Sequence, residues 1–265
     1  MKTILLTGAG GGVGGMIRPI LRERYRLRLS DREALSDLVA GEEFALAGLG
    51  DMDALRTAIR GVDGIVHLGG YSLESDWETI RTSNIEGAYN VFEAARLEGV
   101  PRILFASSNH AMGFYPRSET IPVDRTVRPD TRYGLSKAFG EALGSLYADK
   151  YGAEVLIVRI GHILPKPKIV RDLSIWLSPR DFCQLIGIAM DRPGLKYEIV
   201  YGMSDNKRAW WNNANATRLG YRPEDRSEDF ANEVASGLTG DPRVDLNQGA
   251  TFCTVEDMKM PPKGG

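Results

Sequence analysis

Tyr133 and Lys137 are the residues of this sequence whose types and spacing point most directly to chemistry. They lie four residues apart in the segment RYGLSKAFGEAL. Residues at that spacing share one face of a helix, so both side chains can point into one cleft. A tyrosine is a poor base at its usual pKa of about 10. A neighbouring ammonium group and a positively charged cofactor ring lower that pKa, so the pair predicts acid–base catalysis beside an oxidised cofactor.

The same spacing also occurs on ordinary surface helices, so the interpretation depends on the rest of the chain. Ser107 and Ser108 supply hydroxyl groups at the end of a predicted strand. Ligands of open α/β sheets bind at the carboxyl ends of the strands. One of the two serines can therefore orient a substrate oxygen toward the tyrosine.

A glycine-rich turn, TGAGGGVGG, lies between the first predicted strand and the first predicted helix. Gly8, Gly11 and Gly14 fit the pattern TGxxGxxG, which lets backbone N–H groups approach a pyrophosphate. Such turns also form for backbone reasons alone, but Asp31 follows at the end of the next strand, 23 residues after Gly8. A carboxylate about 20 residues after the turn accepts ribose hydroxyls and favours NAD over NADP. Arg32, next to it, could soften that preference.

Strand and helix signals alternate through the first part of the chain. We predict strands at 3–7, 26–30, 62–68, 102–107 and 154–160, and helices at 14–24, 51–60, 77–98 and 133–151. The strands are nearly continuous apolar runs, which is typical of strands covered on both faces. This alternation predicts an α/β fold with a Rossmann-type, doubly wound parallel sheet and helices on both of its faces.

The regular alternation stops after Ile160. Three prolines interrupt residues 161–179, and irregular segments of this kind often form the substrate-facing part of an α/β enzyme. A helix near 180–191 and a strand near 197–201 follow. The tail, residues 237–265, is rich in Gly, Pro and Asp, and we expect it on the surface.

We predict one domain over residues 1–265. Its dinucleotide-binding core covers 1–160, and a small C-terminal, substrate-facing extension covers 161–265. The net charge of −2 favours neither a nucleic acid nor a membrane surface as partner. No apolar run approaches the roughly 20 residues that span a bilayer, and glycines interrupt the N-terminal run before it resembles a signal peptide.

The cysteines and histidines indicate neither a disulfide framework nor a metal site. Two cysteines are too few for a framework, and free thiols in a reducing cytoplasm are the simpler expectation. His67, His110 and His162 are not spaced like a pair of zinc ligands. We therefore predict a cytoplasmic protein without a bound metal.

Taken together, these motifs resemble short-chain dehydrogenases/reductases of the extended, epimerase-like branch. The matching segments are TGAGGGVG, HLGG, SNIEGAYN, FASSNH and YGLSK, together with Asp31. The resemblance implies a Ser/Tyr/Lys catalytic set, NAD as cofactor and a homo-oligomer that pairs through the helices at 77–98 and 133–151. The cofactor-binding residues that it implies are Gly8, Gly11, Gly12, Val13, Gly14, Asp31, Arg32, Leu49, Leu68, Gly69, Gly70, Asn84, Ser107, Tyr133, Lys137 and Ile160.

Longer segments resemble uronate dehydrogenases over nearly the whole chain, among them FASSNHAMGFYPR, RPDTRYGLSKAFGE, VRIGHILPKPKIVRDLSIWLSPRDF and QGATF. Those enzymes oxidise the ring form of glucuronate or galacturonate at C1, giving an aldarolactone and NADH. The resemblance implies the catalytic residues Ser108, Tyr133 and Lys137, and substrate contacts at Ser72, Ser108, Asn109, His110, Tyr133 and Arg171. An arginine can hold a carboxylate bidentately, although a plain surface role for Arg171 stays open.

The chain departs from that resemblance at two positions. His162 follows VRIG, where a serine is usual within the sugar site, and we count it among the substrate-binding residues. Gly48 stands before Leu49 where an aspartate is usual, so one adenine contact is expected to be missing. The segment EIVYGMSDNKRAWW also resembles NAD-dependent hexose-phosphate dehydrogenases. A phosphate or sulfonate on the sugar therefore stays open, held by His162, Lys166, Lys168, Arg171, Lys207 and Arg208.

Two other classes of function remain as alternatives. A nucleotide-sugar epimerase or dehydratase could share the fold, but little of the chain after residue 160 is left for a nucleotide-binding lobe. Dehydratases of this branch place acidic residues just after the catalytic serine or threonine, whereas Asn109 and His110 follow here. A non-catalytic NAD sensor typically loses the tyrosine or the lysine, and both are present.

Overall fold

Seven parallel strands form the central sheet of the computed structural model, which describes residues 1–255. In sheet order they are β3 (Glu42–Leu46), β2 (Arg26–Asp31), β1 (Thr3–Thr7), β4 (Gly64–His67), β5 (Arg102–Ser108), β6 (Glu154–Ile160) and β9 (Tyr197–Gly202). The chain moves from β1 to one side of the sheet and then returns to the other side at β4. The doubly wound, Rossmann-type fold predicted from the sequence is thereby confirmed.

Helices cover both faces of this sheet. They are α1 (Gly12–Leu21), α2 (Met52–Ile59), α3 (Trp77–Ile80), α4 (Gly87–Leu97), α5 (Arg132–Tyr151), α6 (Asp172–Ile175), α7 (Pro179–Asp191), α8 (Ala214–Arg218) and α9 (Pro242–Asp245). Alternate residues of β1 enter opposite cores. Ile4 packs with α1 and α7 on one face, whereas Leu5 packs with α2, α4 and α5 on the other. This alternation follows from the two-residue period of a strand.

The predicted helical stretch at 77–98 is helical, but it is not one regular α-helix. It consists of α3, a wider π-helical segment at Arg81–Glu86, and α4. Asn84 lies in that wider segment, where its amide accepts from the backbone N–H of Tyr71 at 2.7 Å and donates to the Tyr71 carbonyl at 2.9 Å. Short π-helical segments inside helices often occur at functional sites. Here the segment anchors the loop that follows β4.

The edge strand β3 was not expected from the sequence. Its residues, EEFAL, alternate between exposed and half-buried positions instead of forming an apolar run. An edge strand has only one neighbour, so a continuous apolar sequence is not required of it. The predicted helix near 180–191 and strand near 197–201 are confirmed as α7 and β9.

The segment after β6 is partly ordered by a two-stranded parallel pair, β7 (His162–Ile163) and β8 (Trp176–Leu177). The expectation of a surface tail is wrong for its middle part. Gln248 is fully buried, and its side-chain oxygen accepts from the Trp211 indole N–H at 2.9 Å. Residues 256–265 of that prediction lie outside the described residues. Within 1–255, no helix has both the length and the apolar character that a membrane crossing needs.

Candidate active site

A cavity of about 1010 Å³ lies along the carboxyl ends of the central strands. Residues from the turn after β1 line one end, and residues after β5 and β6 line the other. Of the residues predicted from the sequence, it is lined by Gly8, Gly11, Gly12, Val13, Asp31, Arg32, Leu49, Leu68, Gly69, Gly70, Ser72, Ser107, Ser108, Asn109, His110, Tyr133, Lys137, Ile160, His162 and Arg171. Gly14 and Asn84 lie behind this lining.

The glycine-rich turn has the shape that a dinucleotide needs. Gly8 adopts a positive φ of 68°, and a Cβ there would lie 2.8 Å from the backbone of Gly69. Gly14 packs against the Ala9 carbonyl so closely that a side chain would collide with it. The first glycine therefore permits the turn, and the later one permits close packing of α1 on the turn.

Asp31 holds this turn from the end of the neighbouring strand. One carboxylate oxygen accepts from the Gly10 N–H at 2.9 Å, and the other accepts from the Arg32 N–H at 2.8 Å. Each carboxylate oxygen can accept more than one hydrogen bond, so both can still receive ribose hydroxyls. Gly48 also lines the cavity, and a Cβ there would meet no other atom within 4 Å.

Asn84 does not line the cavity itself, but it supports residues that do. Besides its two bonds to Tyr71, its amide donates to the Ser136 hydroxyl at 3.0 Å. Ser136 in turn donates to the carbonyl oxygen of Tyr133 at 2.7 Å. The amide of Asn84 thus links the loop after β4 to the helix that carries Tyr133.

Ser108, Tyr133 and Lys137 are brought together at the centre of the cavity, and all three are buried. The Lys137 ammonium nitrogen lies 5.5 Å from the centre of the Tyr133 ring. Burial raises the pKa of Tyr133 to about 12, and the Ser108 hydroxyl partly offsets that rise. Burial lowers the pKa of Lys137 to about 8. A lysine with that pKa is still mostly charged at pH 7, so it can stabilise a phenolate beside it.

Two sets of contacts fix the position of these three residues. Glu141, buried in α5, accepts from the Ser107 hydroxyl at 2.6 Å and from the Arg159 guanidinium at 2.7 Å. It therefore ties the ends of β5 and β6 to α5. At the start of that helix, Glu74 accepts from the Tyr133 N–H at 2.8 Å, and Thr131 caps the Gly134 N–H at 3.0 Å.

Arg171 gives the far end of the cavity its positive charge. Its Nη2 donates to the Gln248 carbonyl at 2.6 Å. Its buried Nε has no hydrogen-bond partner among residues 1–255. Burial lowers the pKa of Arg171 to about 10, and the nearby Arg117 adds to that shift. A guanidinium that lines a cavity is suited to bind an anion there through its charged N–H groups.

Asn109 is engaged with the protein itself. In the amide orientation that satisfies its neighbours, it donates to the Ile160 carbonyl at 3.3 Å and accepts from Nη2 of Arg171 at 3.1 Å. Its amide therefore holds the guanidinium in place at the edge of the cavity. The predicted substrate contact at this position can be only a part of its role.

His162 stands at the mouth of the same end, with 46% of its side chain exposed. Its Nδ1 lies 2.9 Å from the buried carboxylate of Asp172. Burial alone would raise the pKa of Asp172, but the contact with His162 and the N–H groups of Lys168 and Ile169 outweigh it and lower that pKa. The carboxylate thus fixes the orientation of the imidazole ring.

The wider cationic cluster left open around His162 is not brought together at the cavity. Neither Lys166 nor Arg208 lines the cavity, as it is formed by residues 1–255. The ammonium nitrogen of Lys166 lies 3.5 Å from a carboxylate oxygen of Glu233. Nη2 of Arg208 lies 2.6 Å from a carboxylate oxygen of Glu228. The side chains of Lys168 and Lys207 do not line it either. His162 and Arg171 are the members of that set that face the cavity.

The residues that close the end of the cavity beside Arg171 and His162 were not predicted from the sequence. Asp130 is buried 2.7 Å from Nδ1 of His110, and the ring of Phe252 stacks on His110 with centres 3.9 Å apart. The segment QGATF was noted in the sequence as part of a resemblance, which was the available signal. Nothing in its composition indicated that it would return to the cavity.

Comparison with known proteins agrees with this geometry. The model of the "NAD dependent epimerase/dehydratase family" matches residues 4–167. The uronate dehydrogenase of Pseudomonas syringae pv. tomato is 45% identical over 87% of this chain and 85% of its own length. The NAD-dependent glucose-6-phosphate dehydrogenase of Haloferax volcanii is 39% identical over 88% of this chain and 97% of its own length.

Solved structures give the same picture. A uronate dehydrogenase from Agrobacterium tumefaciens superposes with a TM-score of 0.91, at 42% identity over 96% of this chain and 97% of that one. A mutant of a uronate dehydrogenase from the same organism, complexed with NAD, superposes with a TM-score of 0.92 at 41% identity. That complex covers 96% of this chain and 97% of its own.

Proposed function

This chain belongs to the NAD-dependent epimerase/dehydratase family, and from that premise we propose that it oxidises the anomeric C1 hydroxyl of an anionic hexose. The sugar is a uronate, glucuronate or galacturonate, and the product is an aldarolactone. One observation supports the assignment of an acid group to the substrate. Arg171 lines the cavity that holds Tyr133, and its guanidinium places a positive charge at that end.

The cofactor end fits NAD. The backbone at Gly8 approaches Gly69 so closely that a side chain would collide with it, so glycine permits the tight turn whose N–H groups can approach a pyrophosphate. Asp31 offers a carboxylate where a ribose would lie and would repel a 2′-phosphate. Bound NAD would accept the hydride that leaves C1 of the sugar.

The residues of the chain divide the remaining work. Tyr133 takes the proton of the anomeric hydroxyl, and the Ser108 hydroxyl orients that oxygen. Because burial holds the pKa of Tyr133 near 12, the phenolate needs a positive charge nearby. The ammonium group of Lys137 supplies one, and it can also bind the ribose of the nicotinamide.

Arg171 and His162 decide which anionic sugar is accepted. Arg171 binds the acid group with a planar fork of donors, which matches a carboxylate. The uronate dehydrogenase of Pseudomonas syringae pv. tomato, which matches this chain over 85% of its own length, supports this assignment. His162 adds a ring nitrogen at the mouth of the cavity.

A phosphorylated or sulfonated hexose is the alternative substrate, and His162 is the observation that favours it. A doubly protonated His162, at the same end of the cavity as Arg171, provides a second donor for an acid group with three oxygens, whereas in a neutral ring the Nδ1 hydrogen faces Asp172 and Nε2 only accepts. The relative named NAD-dependent glucose-6-phosphate dehydrogenase gives this alternative support at 39% identity. The outward position of Lys166 and Arg208 counts against it.

The experiment is to measure NADH formation with NAD and, separately, NADP. The sugars are glucuronate, galacturonate, glucose, glucose 6-phosphate and 6-sulfoglucose. Turnover of the uronates with NAD supports the proposal. Turnover of a phosphorylated or sulfonated hexose alone would select the alternative. Silence on every sugar would contradict both and favour a nucleotide-sugar epimerase or dehydratase, or an NAD sensor.

We also propose a cytoplasmic homo-oligomer that pairs through α4 and α5. Large apolar side chains are exposed on these helices, among them Tyr89, Leu97, Leu135 and Leu146. Free Cys183 and Cys253 fit a reducing compartment. Light scattering on the eluting protein measures the assembly, and a monomer at micromolar concentration would contradict the pairing.

A further inference from the structure

Asp130 is a buried charge whose partners all belong to the sugar-facing end of the cavity. It lies just before α5, and its carboxylate is shielded from solvent. One oxygen lies 2.7 Å from Nδ1 of His110, and the other accepts from the Thr131 hydroxyl at 2.9 Å. A buried carboxylate must be paired to be tolerated, and these two contacts provide the pairing.

The segments around Gly113 and Gly249 both meet the segment of Asp130 at this carboxylate. A Cβ at Gly113 or at Gly249 would collide with it, so both segments pack directly against it. The Gly249 N–H donates to the Gly113 carbonyl at 2.9 Å. Asp130 therefore sets the place where the C-terminal segment joins the wall of the cavity.

The same segment then covers His110 from the other side. Phe252 stacks on the imidazole with ring centres 3.9 Å apart and planes 23° apart. The ring of Tyr133 lies 5.8 Å from the imidazole, close to edge-on. With one nitrogen on Asp130 and one face under Phe252, His110 has little freedom to rotate.

These contacts determine which ring nitrogen of His110 carries the hydrogen, as well as how the ring is oriented. A carboxylate can only accept a hydrogen bond, so the nitrogen that faces it carries the hydrogen. In neutral imidazole the other nitrogen, Nε2, is then an acceptor. His110 lines the cavity, so that acceptor is available to a hydroxyl group of a bound sugar.

We propose that Asp130 is a positioning residue of the sugar site. It holds His110 as the Nδ1–H tautomer, so that Nε2 accepts a hydrogen bond from a substrate hydroxyl. It also seats residues 249–252 against the ring. The kinetic part of this inference rests on the proposed oxidation of a sugar.

The direct test is the protonation state of His110 in the unmodified protein. The chain has three histidines, so their ring nitrogens can be resolved by ¹⁵N NMR and assigned with His110→Ala and His162→Ser. We expect the Nδ1–H tautomer for His110 at pH 8. The Nε2–H tautomer or a doubly protonated ring would overturn the proposal. This result does not depend on any substrate.

The kinetic test is a double-mutant cycle in the full-length protein. Asp130→Asn is expected to raise the KM for glucuronate about tenfold while the Kd for NAD stays unchanged. In a His110→Ala background the same substitution should raise that KM by clearly less, because the part of its role that acts through the ring is already lost. Equal losses in both backgrounds, or a weaker Kd for NAD, would overturn the positioning role. No uronate turnover by the unmodified protein would instead contradict the proposed function.

Discussion

The two ends of the cavity are built in different ways. The cofactor end is built on the turns after β1, β2, β3 and β4, within the first 73 residues, and the first, third and fourth of these turns contain glycines. The sugar end consists mainly of side chains that come from five distant segments, near residues 108, 130, 162, 171 and 250. A backbone cradle tolerates many sequences as long as its glycines remain. A side-chain wall can change its substrate with one substitution.

The two ends also differ in charge. Asp31 places a carboxylate at the cofactor end, whereas Arg171 places a buried guanidinium at the sugar end. Tyr133 and Lys137 lie where the two ends meet. Variants at each end should therefore separate cofactor binding from sugar binding.

Tyr133→Phe should have the largest effect, because it removes the proton acceptor at the junction of the two ends. We expect kcat to fall by about 10³-fold, within the range of about 10² to 10⁴ for acid–base groups. The Kd for NAD, measured by calorimetry, should stay within about twofold. A variant that keeps more than a tenth of the kcat would mean that another group takes the proton.

Gly8→Ala should break the cofactor end alone. The added methyl group would lie 2.8 Å from the Gly69 backbone at a positive φ of 68°. Strain of about 1–3 kcal/mol corresponds to roughly a 5- to 150-fold rise in the Kd for NAD. Gly15→Ala is the matched control, since a Cβ there meets no other atom within 4 Å. Equal binding by the two variants would contradict the backbone cradle.

The contrast between the two ends also explains what could be predicted from the sequence. The turn after β1, Asp31 and the Tyr133–Lys137 pair are local patterns, and the cavity brings them together as expected. Asp130 and Phe252 gave no local signal, because their roles depend on contacts between segments that are far apart in the chain. The edge strand β3 was missed because its residues are exposed or half-buried and do not form an apolar run.

His162→Ser should change the sugar end by a smaller amount. Because the ring is half exposed and lies at the mouth of the cavity, we expect it to contribute about one hydrogen bond. A change of about 0.5–1.5 kcal/mol corresponds to a two- to tenfold shift in the KM for the sugar. The KM for NAD should not change. A shift in the KM for NAD instead would place His162 at the cofactor end.

Lys137→Met should stabilise the protein slightly while it removes activity. The pKa of Lys137 is about 8 in the folded protein and about 10.4 in an unfolded chain. Between those values the unfolded state binds more protons, so the free energy of unfolding rises with pH. The burial cost is present in full below pH 8, so the variant should melt above the unmodified protein at pH 7, and the difference should shrink by pH 9. A lower melting temperature at pH 7 would contradict the cost of burying this charge.

The most direct test of the central claim compares kcat/KM for glucuronate and for glucose, in the unmodified protein and in Arg171→Met. We expect a preference for glucuronate of at least about 10²-fold, since charged hydrogen bonds contribute about 1.5–3 kcal/mol each. Arg171→Met should remove most of that preference and leave the KM for NAD unchanged. Equal use of both sugars by the unmodified protein, or a preference that survives the substitution, would contradict this claim.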